Sequence, residues 1–445
     1  MANLTQLRMA AREIFQEALR VADAGEAVRR AVQLRKQSVL IHDLEFSNPK
    51  VYSIAIGKAA TTMDDALGQM LGELLAFRLV VGPHPSTSPS ERVSLNRRRW
   101  YGGGHPLPNK RSLYAAQKAL EILEQANSEA ALVVFLISGG GSAMIEWPIR
   151  DEITLSNLRM ANKALVSSGA SIGEINAVRR AFSAVKGGKL AARAPNCDQI
   201  TLIISDVPSG QEWNVASGPT MLPPANAPKA RDVVEKYQLR SKLPESILRA
   251  IDVEEETISA ENPMNLGKHF VLLSNDDAVE AAANAARRRG FNTKIARDIS
   301  DEPIESGCGK LLQLLRASGE PAISSDLCVI SGGEFSCPVK GTGLGGRNLE
   351  TALRLAIAGA NTSDFVALCA GTDGIDGNSP AAGAIIDNTT SERAKRVGLD
   401  PQDFLNRSDA YSFFVAIGDA ITTGPTGTNV RDLRILLQSN HGKPQ

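Results

Sequence analysis

The chain is predicted to be an α/β protein of two domains, each a mostly parallel, Rossmann-like sheet flanked by helices. Apolar runs of strand length alternate with helical periodicity through both halves. The 445 residues exceed what one hydrophobic core usually holds. Prolines at 219, 223, 224 and 228 interrupt the alternation near the middle. We therefore expect an N-terminal domain of residues 1–240, a C-terminal domain of residues 241–445, and an active site in the cleft between them.

The first half opens with apolar residues at helical spacing and then alternates strands with helices. Because strands covered on both faces by helices are typical of parallel sheets, this order predicts such a sheet. The predicted helices are 5–21, 59–77, 111–127, 154–167 and 174–185, and the predicted strands are 51–56, 79–81, 131–137 and 201–204.

The second half restarts the alternation after the prolines. Its helical segments are long enough to connect parallel strands, as in a βαβ unit. The predicted strands are 270–273, 292–296, 326–330 and 364–370, and the predicted helices are 277–289, 303–317 and 347–358.

Composition excludes several classes of protein. Lys plus Arg equals Asp plus Glu, at 49 each, and a general nucleic-acid binder needs a basic excess. No apolar run approaches the roughly 20 residues of a membrane helix. None of the five cysteines forms a Cys-x-x-Cys pair, which is typical of reduced thiols in a cytoplasmic protein. We expect a cytoplasmic protein with small-molecule partners and neither nucleic acid nor membrane; a homodimer is one assembly that the sequence allows.

The residues that follow the predicted strands carry the functional information. Ligands of open α/β sheets bind at the carboxyl ends of the strands, and glycine lets backbone N–H groups approach an anion. Phosphoryl transfer needs cations near the transferring oxygens and carboxylates for Mg²⁺. Lys58 and Arg347 are the candidate cations. The strand-end segments are 57–58, 138–142, 205–206, 331–334 and 371–374, and the candidate carboxylates are Asp206, Glu334, Asp373 and Asp376.

Each feature also has a simpler interpretation. A glycine after a strand can form a tight turn, and Asp373 or Asp376 can cap one. The stretch from Lys186 to Lys189 is either a solvated helix face or an anion-binding loop. The Walker P-loop and the protein-kinase loops are absent from the sequence, and no Gly-x-Gly-x-x-Gly opens a helix directly after a predicted strand, as the standard dinucleotide fingerprint does.

Several motifs together resemble the glycerate 2-kinases, which combine an N-terminal glycerate-kinase-type domain with a C-terminal MOFRL domain. The motifs occur in order over nearly the whole chain, which makes the resemblance specific. The matching stretches are 56–60, 104–108, 137–143, 175–180, 186–191, 205–208, 216–220, 331–334, 345–348, 371–377 and 426–430.

The resemblance implies ATP-dependent phosphorylation of D-glycerate at its 2-hydroxyl with Mg²⁺, giving 2-phosphoglycerate and ADP. It also implies that Lys58 and Arg347 are catalytic. Asp206 and Asp373 are the expected metal ligands, directly or through water. The residues expected to bind substrate or phosphate are Ser138, Gly139, Gly140, Gly141, Ser142, Lys186, Gly187, Gly188, Lys189, Ser331, Gly332, Gly333, Glu334, Gly345 and Gly346.

Two other functions stay open at this point. Some proteins of this kind carry the name hydroxypyruvate reductase, which predicts binding of NAD(P)H, although the missing dinucleotide fingerprint disfavours it. A non-catalytic sensor of a phosphosugar or nucleotide would bind its ligand without turnover.

Overall fold

The computed structural model describes residues 3–47, 49–83, 97–257, 267–317, 326–360 and 364–439. The chain divides into two compact units, as predicted. The first unit is Ala24–Leu272, and the second unit combines Met1–Asp23 with Leu273–Gln445. Among the described residues, no helix has the length and apolar character that crossing a bilayer requires.

The first unit contains a large sheet with helices and a small separate sheet. After helix α1 (Leu4–Val21), its elements along the chain are α2 (Ala24–Ala31), β1 (Val32–Arg35), β2 (Ser38–Ile41), β3 (Leu44–Ser47), β4 (Val51–Ile56), α3 (Ala60–Leu71), β5 (Leu75–Val81), β6 (Arg98–Tyr101), α4 (Lys110–Ser128), β7 (Leu132–Ser138), α5 (Gly141–Met144), α6 (Leu155–Val166), α7 (Ile172–Phe182), β8 (Asp198–Ile204), α8 (Ala230–Lys236), α9 (Glu245–Thr257) and β9 (Lys268–Leu273). Short 3₁₀ helices lie at Gly72–Leu74, Ala191–Arg193 and Glu212–Ser217.

The described strands of the large sheet lie in the order β6-β5-β4-β7-β8-β9. The pairs from β6 through β8 are parallel, as predicted for this domain. Strands β4 and β7 are buried at every residue, and their register places Ile56 beside Ile137. The carboxyl ends of these two central strands therefore lie side by side.

Residue 240 lies inside the first unit, so the predicted boundary between residues 240 and 241 does not coincide with the structural one. Helices α8 and α9, which follow the prolines, pack against α7. Val233, Leu243 and Ile247 share a buried apolar cluster with Leu158 and Phe182. The prolines interrupt the alternation of strands and helices, but the hydrophobic core continues across them.

The second unit builds a different sheet. Its elements are α10 (Asn275–Arg288), β10 (Asn292–Ile295), α11 (Ile304–Ala317), β11 (Leu327–Ser331), α12 (Arg347–Ala358), β12 (Phe365–Gly371), β13 (Gly383–Asp387), α13 (Thr390–Arg396), α14 (Pro401–Asn406), α15 (Ala410–Ala416), β14 (Ala420–Ile421) and β15 (Asp432–Gln438).

The described strands of this second sheet lie in the order β10-β11-β15-β12-β13-β14. Among them only β10 and β11 pair in parallel, and the other pairs are antiparallel. The prediction that this sheet is also mostly parallel is therefore wrong. The physical reason is that the last strand, β15, inserts between β11 and β12 and runs opposite to both. Its first residue, Asp432, consequently lies opposite Gly371 at the carboxyl end of β12.

Helix α1 belongs to the second unit although it begins the chain. It starts with a capping box formed by Asn3 and Gln6, and it packs against α10 and β12. Its Arg8 donates a 2.6 Å hydrogen bond to the buried Asp387 and also pairs with the buried Asp419. Two buried carboxylates need a cation nearby, so this contact holds α1 to the unit.

Candidate active site

The ends of β4 and β7 form the first cluster of predicted site residues. Gly57 has a φ of +116°, and a Cβ there would overlap the carbonyl oxygen of Ser138. The backbone N–H of Lys58 donates to the carbonyl of Gly139 at 2.8 Å, and that of Ala59 donates to Ser138 Oγ at 3.0 Å. The structure thus brings together the two segments, 57–58 and 138–142, that the sequence identified separately.

The side chain of Lys58 lies along this glycine-rich loop. A Cβ at Gly140, where φ is +78°, would lie 3.0 Å from Lys58 Cγ. A Cβ at Gly141 would lie 2.7 Å from the Cβ of Ala216, so both positions need glycine. Helix α5, which follows the loop, has only four residues. Its dipole is correspondingly small, and the N–H groups of the loop are the better anion donors.

Lys186 belongs to a second segment that the sequence predicts to bind phosphate, but its side chain is buried. Its side chain is 1% exposed, and its Nζ lies 2.6 Å from Oε2 of the equally buried Glu146. Burial lowers the pKa of Lys186, while the neighbouring Glu146 opposes that shift. The ammonium therefore neutralises a buried carboxylate of the protein itself, and we do not propose it as a phosphate ligand.

The rest of the 186–189 segment also binds the protein. Lys189 Nζ donates to the carbonyl oxygens of Arg180 and Ser183, at 2.7 and 3.2 Å. The N–H groups of Gly187 and Gly188 donate to the carbonyls of residues 217 and 218, at 3.2 and 2.8 Å. This segment supports the turn at 216–218, and that turn contacts the loop that carries Ser142.

Arg347 is the first residue of α12 and is held by two carboxylates. Its Nε lies 2.6 Å from Oδ2 of Asp432, and its Nη2 lies 2.6 Å from Oε1 of Glu334. The side chain of Asp432 is 2% exposed, whereas that of Glu334 is 32% exposed. Burial acts to lower the pKa of Arg347, but Asp432 and Glu334 outweigh it and raise that pKa, so the guanidinium stays charged.

Asp376 anchors the start of the helix that carries Arg347. Its carboxylate accepts hydrogen bonds from the backbone N–H groups of Asn348 and Leu349, at 3.1 and 2.8 Å. A Cβ at Gly346 would lie 2.5 Å from the Asp376 carboxylate, so glycine is required there. Burial raises the pKa of Asp376 to about 7, and Asp432 adds to that effect, although the two backbone donors and Arg347 lower it. Asp376 is thus a helix cap and not a metal ligand.

The loop after β11 is held by hydrogen bonds from Asn275 and Arg434, two residues that the sequence did not indicate. Asn275 accepts from the N–H of Gly333 at 2.8 Å and donates to the carbonyl of Val430 at 2.7 Å. Buried Arg434 donates to the backbone carbonyl of Gly332 and, at 3.1 Å, to Ser331 Oγ. Ser331 donates in turn to a core carbonyl, that of residue 299, at 2.5 Å. Its hydroxyl therefore shapes the loop.

The two predicted metal ligands lie at strand ends of different units. Asp206 follows β8 and Asp373 follows β12, and both are half-buried. Oδ1 of Asp373 accepts the N–H of Ile375 at 3.1 Å. No cluster of three or more potential ligands occurs among the described residues. Mg²⁺ commonly uses one or two carboxylates plus substrate phosphates and water, so partly exposed single carboxylates fit such an ion.

Comparison with known proteins identifies the family. Residues 10–252 match a model described as a domain of unknown function, DUF4147, and residues 327–432 match the MOFRL family. The chain is 36% identical over 440 residues to a glycerate 2-kinase from Pyrococcus horikoshii, covering 96% of both chains. The chain belongs to the glycerate 2-kinase family. The resemblance inferred from the motifs is confirmed, and the chain is an enzyme of the phosphotransferase class.

Two further relatives bear on this family assignment. A crystal structure of glycerate kinase from Thermotoga maritima matches with a TM-score of 0.80 and 32% identity, covering 97% of this chain and 99% of that chain. A relative from Agrobacterium vitis, 34% identical over 440 residues and covering 98% of this chain and 95% of the relative, is provisionally named hydroxypyruvate reductase.

We expect Lys186→Met to destabilise the first unit, because it leaves the buried Glu146 without its cation. The expected loss is about 3–5 kcal/mol in the free energy of unfolding, measured by denaturant titration. Lys58→Met, which removes a half-buried lysine, is expected to cost less than about 1 kcal/mol.

A matched double variant tests the cause of that loss. Glu146→Gln combined with Lys186→Met removes both charges but keeps an acceptor for Ser183, which donates to Glu146 at 2.5 Å. We expect it to recover most of the stability. If Lys186→Met folds normally and raises the KM for the nucleotide instead, the ammonium contacts a ligand.

The pKa of Asp376 gives the second unit a defined pH dependence. The folded state binds this proton more tightly than the unfolded state, whose aspartates titrate near 3.8. Its contribution to stability is therefore fully present below about pH 4 and is lost as the pH rises towards about 7. Asp376→Asn cannot titrate, so its free energy of unfolding relative to the unmodified protein should increase across that window. Parallel pH profiles for the two proteins would contradict this assignment.

Proposed function

We propose that the protein transfers the γ-phosphoryl group of ATP to the 2-hydroxyl of D-glycerate, with Mg²⁺, and releases 2-phosphoglycerate and ADP. The observation that carries the proposal is the geometry of Arg347. Its guanidinium is oriented by the buried Asp432, and it also contacts the partly exposed Glu334. A charged, preoriented donor is what a transferring phosphoryl group requires. The names of the kinase relatives support the choice of acceptor.

Several of the predicted site residues then have a role in this reaction. Arg347 stabilises charge on the transferring phosphoryl group, a contribution of roughly 3 kcal/mol to lowering the barrier. Lys58 neutralises an anion, either a phosphate or the carboxylate of glycerate. Glycines 139–141, 332 and 346 offer backbone N–H groups to anionic oxygens, whereas those of Gly333 and Gly345 already donate to Asn275 and Asn378. Lys186 and Ser331 act indirectly, because they hold these loops in shape.

Asp206 and Asp373 are the residues that would hold Mg²⁺, as carboxylates partly open to solvent. When bound, the ion offsets negative charge on the phosphates of the nucleotide. Asp432 and Asp376 are already engaged by Arg347 and by the start of α12. They set the position of Arg347, so Asp206 and Asp373 are the carboxylates proposed to bind the metal.

The test of the activity is an assay with purified protein, Mg-ATP and D-glycerate, coupled through enolase alone. Enolase consumes 2-phosphoglycerate and not 3-phosphoglycerate, so a signal establishes both transfer and its position. Release of ADP without an enolase signal would assign the phosphate to another hydroxyl or acceptor. If neither product forms but NAD(P)H is oxidised with hydroxypyruvate, the reductase is the correct function.

We expect Asp432→Asn to lower kcat about 10²-fold while the fold is retained, because the uncharged amide orients Arg347 poorly. Arg347→Ala should lower kcat by at least as much. Glu334→Gln is the matched control, since Glu334 pairs with the same guanidinium but is partly exposed, and its effect should stay below about 10-fold. If Asp432→Asn keeps its kcat, the buried carboxylate does not position the arginine.

A further inference from the structure

Three polar side chains form a hydrogen-bonded chain behind the 138–142 loop. Ser217 Oγ lies 2.8 Å from Ser142 Oγ and 2.8 Å from Oδ1 of Asn176. Ser217 and Asn176 are fully buried, whereas Ser142 is half-buried. Within the described residues, Ser217 is the hydrogen-bond partner of the Ser142 side chain. The hydrogen-bonded chain therefore runs from the buried amide of Asn176 to the half-buried hydroxyl of Ser142.

The orientation of the Asn176 amide is fixed by its other neighbours. Its Nδ2 donates to the carbonyl oxygen of Asn214 at 3.2 Å, and its Oδ1 accepts from Nη1 of Arg179 at 3.3 Å. A carbonyl can only accept and a guanidinium can only donate, so exchanging the oxygen and nitrogen of the amide would break both bonds. Towards Ser217, Asn176 therefore presents an acceptor.

The hydrogens available to the two serines fix the direction of the whole hydrogen-bonded chain. A serine hydroxyl carries one hydrogen. Ser217 must donate it to Asn176, because two acceptors 2.8 Å apart would otherwise face each other. The second contact of Ser217 then requires that Ser142 donate to Ser217. With its hydrogen committed, Ser142 Oγ can only accept a further hydrogen bond.

This direction conflicts with the role that the sequence suggested for the Ser142 side chain. Phosphate oxygens accept hydrogen bonds and so need donors. A substrate hydroxyl can supply a donor. The aliphatic part of the Lys58 side chain packs on Gly140, two residues before Ser142. A hydroxyl that can only accept, on a loop lined by a lysine, matches the hydroxyl and the carboxylate of a hydroxy acid.

The backbone holds Ser217 in place for this role. Ala216 and Ser217 have φ angles of 52° and 65°, a region that non-glycine residues rarely adopt. The carbonyl of Ser217 accepts the N–H of Gly187 at 3.2 Å. Backbone strain of this kind persists only where surrounding contacts enforce it. The buried turn thus holds Ser217 between Asn176 and Ser142, and Ser142 therefore donates its hydrogen to Ser217.

We propose that Ser142 accepts a hydrogen bond from a hydroxyl of the acceptor substrate and thereby helps the enzyme select a hydroxy acid. The inference rests on the proposed function for the identity of that substrate. Ser217 and Asn176 are positioning residues, because they act only through Ser142.

Steady-state kinetics with both substrates test the assignment. We expect Ser142→Ala to raise the KM for D-glycerate about 10-fold or more, the worth of one hydrogen bond to a buried partner, and to leave the KM for ATP within about 2-fold. Ser142→Thr keeps the hydroxyl and should restore the KM. Ser217→Ala should also raise the KM for D-glycerate, and the double variant should be no worse than Ser142→Ala, since both act on one contact.

Two kinetic outcomes overturn the proposal. If Ser142→Ala raises the KM for ATP and spares that for D-glycerate, the hydroxyl donates to a phosphate. If neither KM changes in a correctly folded Ser142→Ala protein, the hydroxyl meets no substrate.

Calorimetric binding separates this inference from the proposed function, because it needs no turnover. The unmodified protein should bind D-glycerate more tightly than propionate, which lacks both hydroxyls, and Ser142→Ala should reduce that preference about 10-fold, the share of one hydrogen bond. A loss of preference in a protein without kinase activity would leave the hydroxyl contact standing and refute the kinase function. An unchanged preference in Ser142→Ala overturns the hydroxyl contact even if the kinase assay succeeds.

Discussion

The close approach of two buried parallel strands determines most of what the first unit can do. Strands β4 and β7 are buried at each residue, so their register is enforced by packing on both faces. At their carboxyl ends the backbone of Gly57 meets that of Ser138 with no room for a Cβ. That contact places Lys58 along Gly140 and brings the loop against the turn at 216–218. Burying large aliphatic side chains is worth about 1.5–3 kcal/mol each, which makes a shifted register far less stable than this one.

In the second unit, ion pairs and hydrogen bonds to carboxylates, rather than strand packing, position the candidate catalytic residue. Asp432 and Glu334 hold the guanidinium of Arg347, and Asp376 binds the backbone at the start of the same helix. Three carboxylates around one arginine would repel one another in the absence of other positive charge. Burial raises the pKa of Asp376 to about 7. Near neutral pH this carboxyl is therefore protonated part of the time, which reduces the repulsion. The N-terminal N–H groups of α12 supply further positive charge. The arginine is therefore fixed before any substrate arrives.

The sequence predicted the strand ends well because glycine and polar residues after an apolar run are a local signal. It missed the roles of Asp432, Asn275 and Asn176, because the partners that define those roles lie 41 to 85 residues away. Asp432 stands just two residues beyond the recognised 426–430 motif, and only the pairing of β15 with β12 brings it to Arg347. The sequence also could not assign Lys186. Its partner, Glu146, is 40 residues away, and that partner turns a candidate anion loop into an internal ion pair.

From the sequence alone follow the α/β class, the presence of two domains, the glycine-rich strand ends and the family. These depend on periodicity, local backbone preference and motif order, which are all encoded within short stretches. Only the tertiary structure decided that the second sheet is mainly antiparallel, that α1 joins the second unit, and which polar groups bind one another. Strand direction is chosen by the packing of distant segments, and the role of a charged side chain depends on which opposite charge is buried beside it. Neither is a property of neighbouring residues, so neither can be obtained from one sequence read in order.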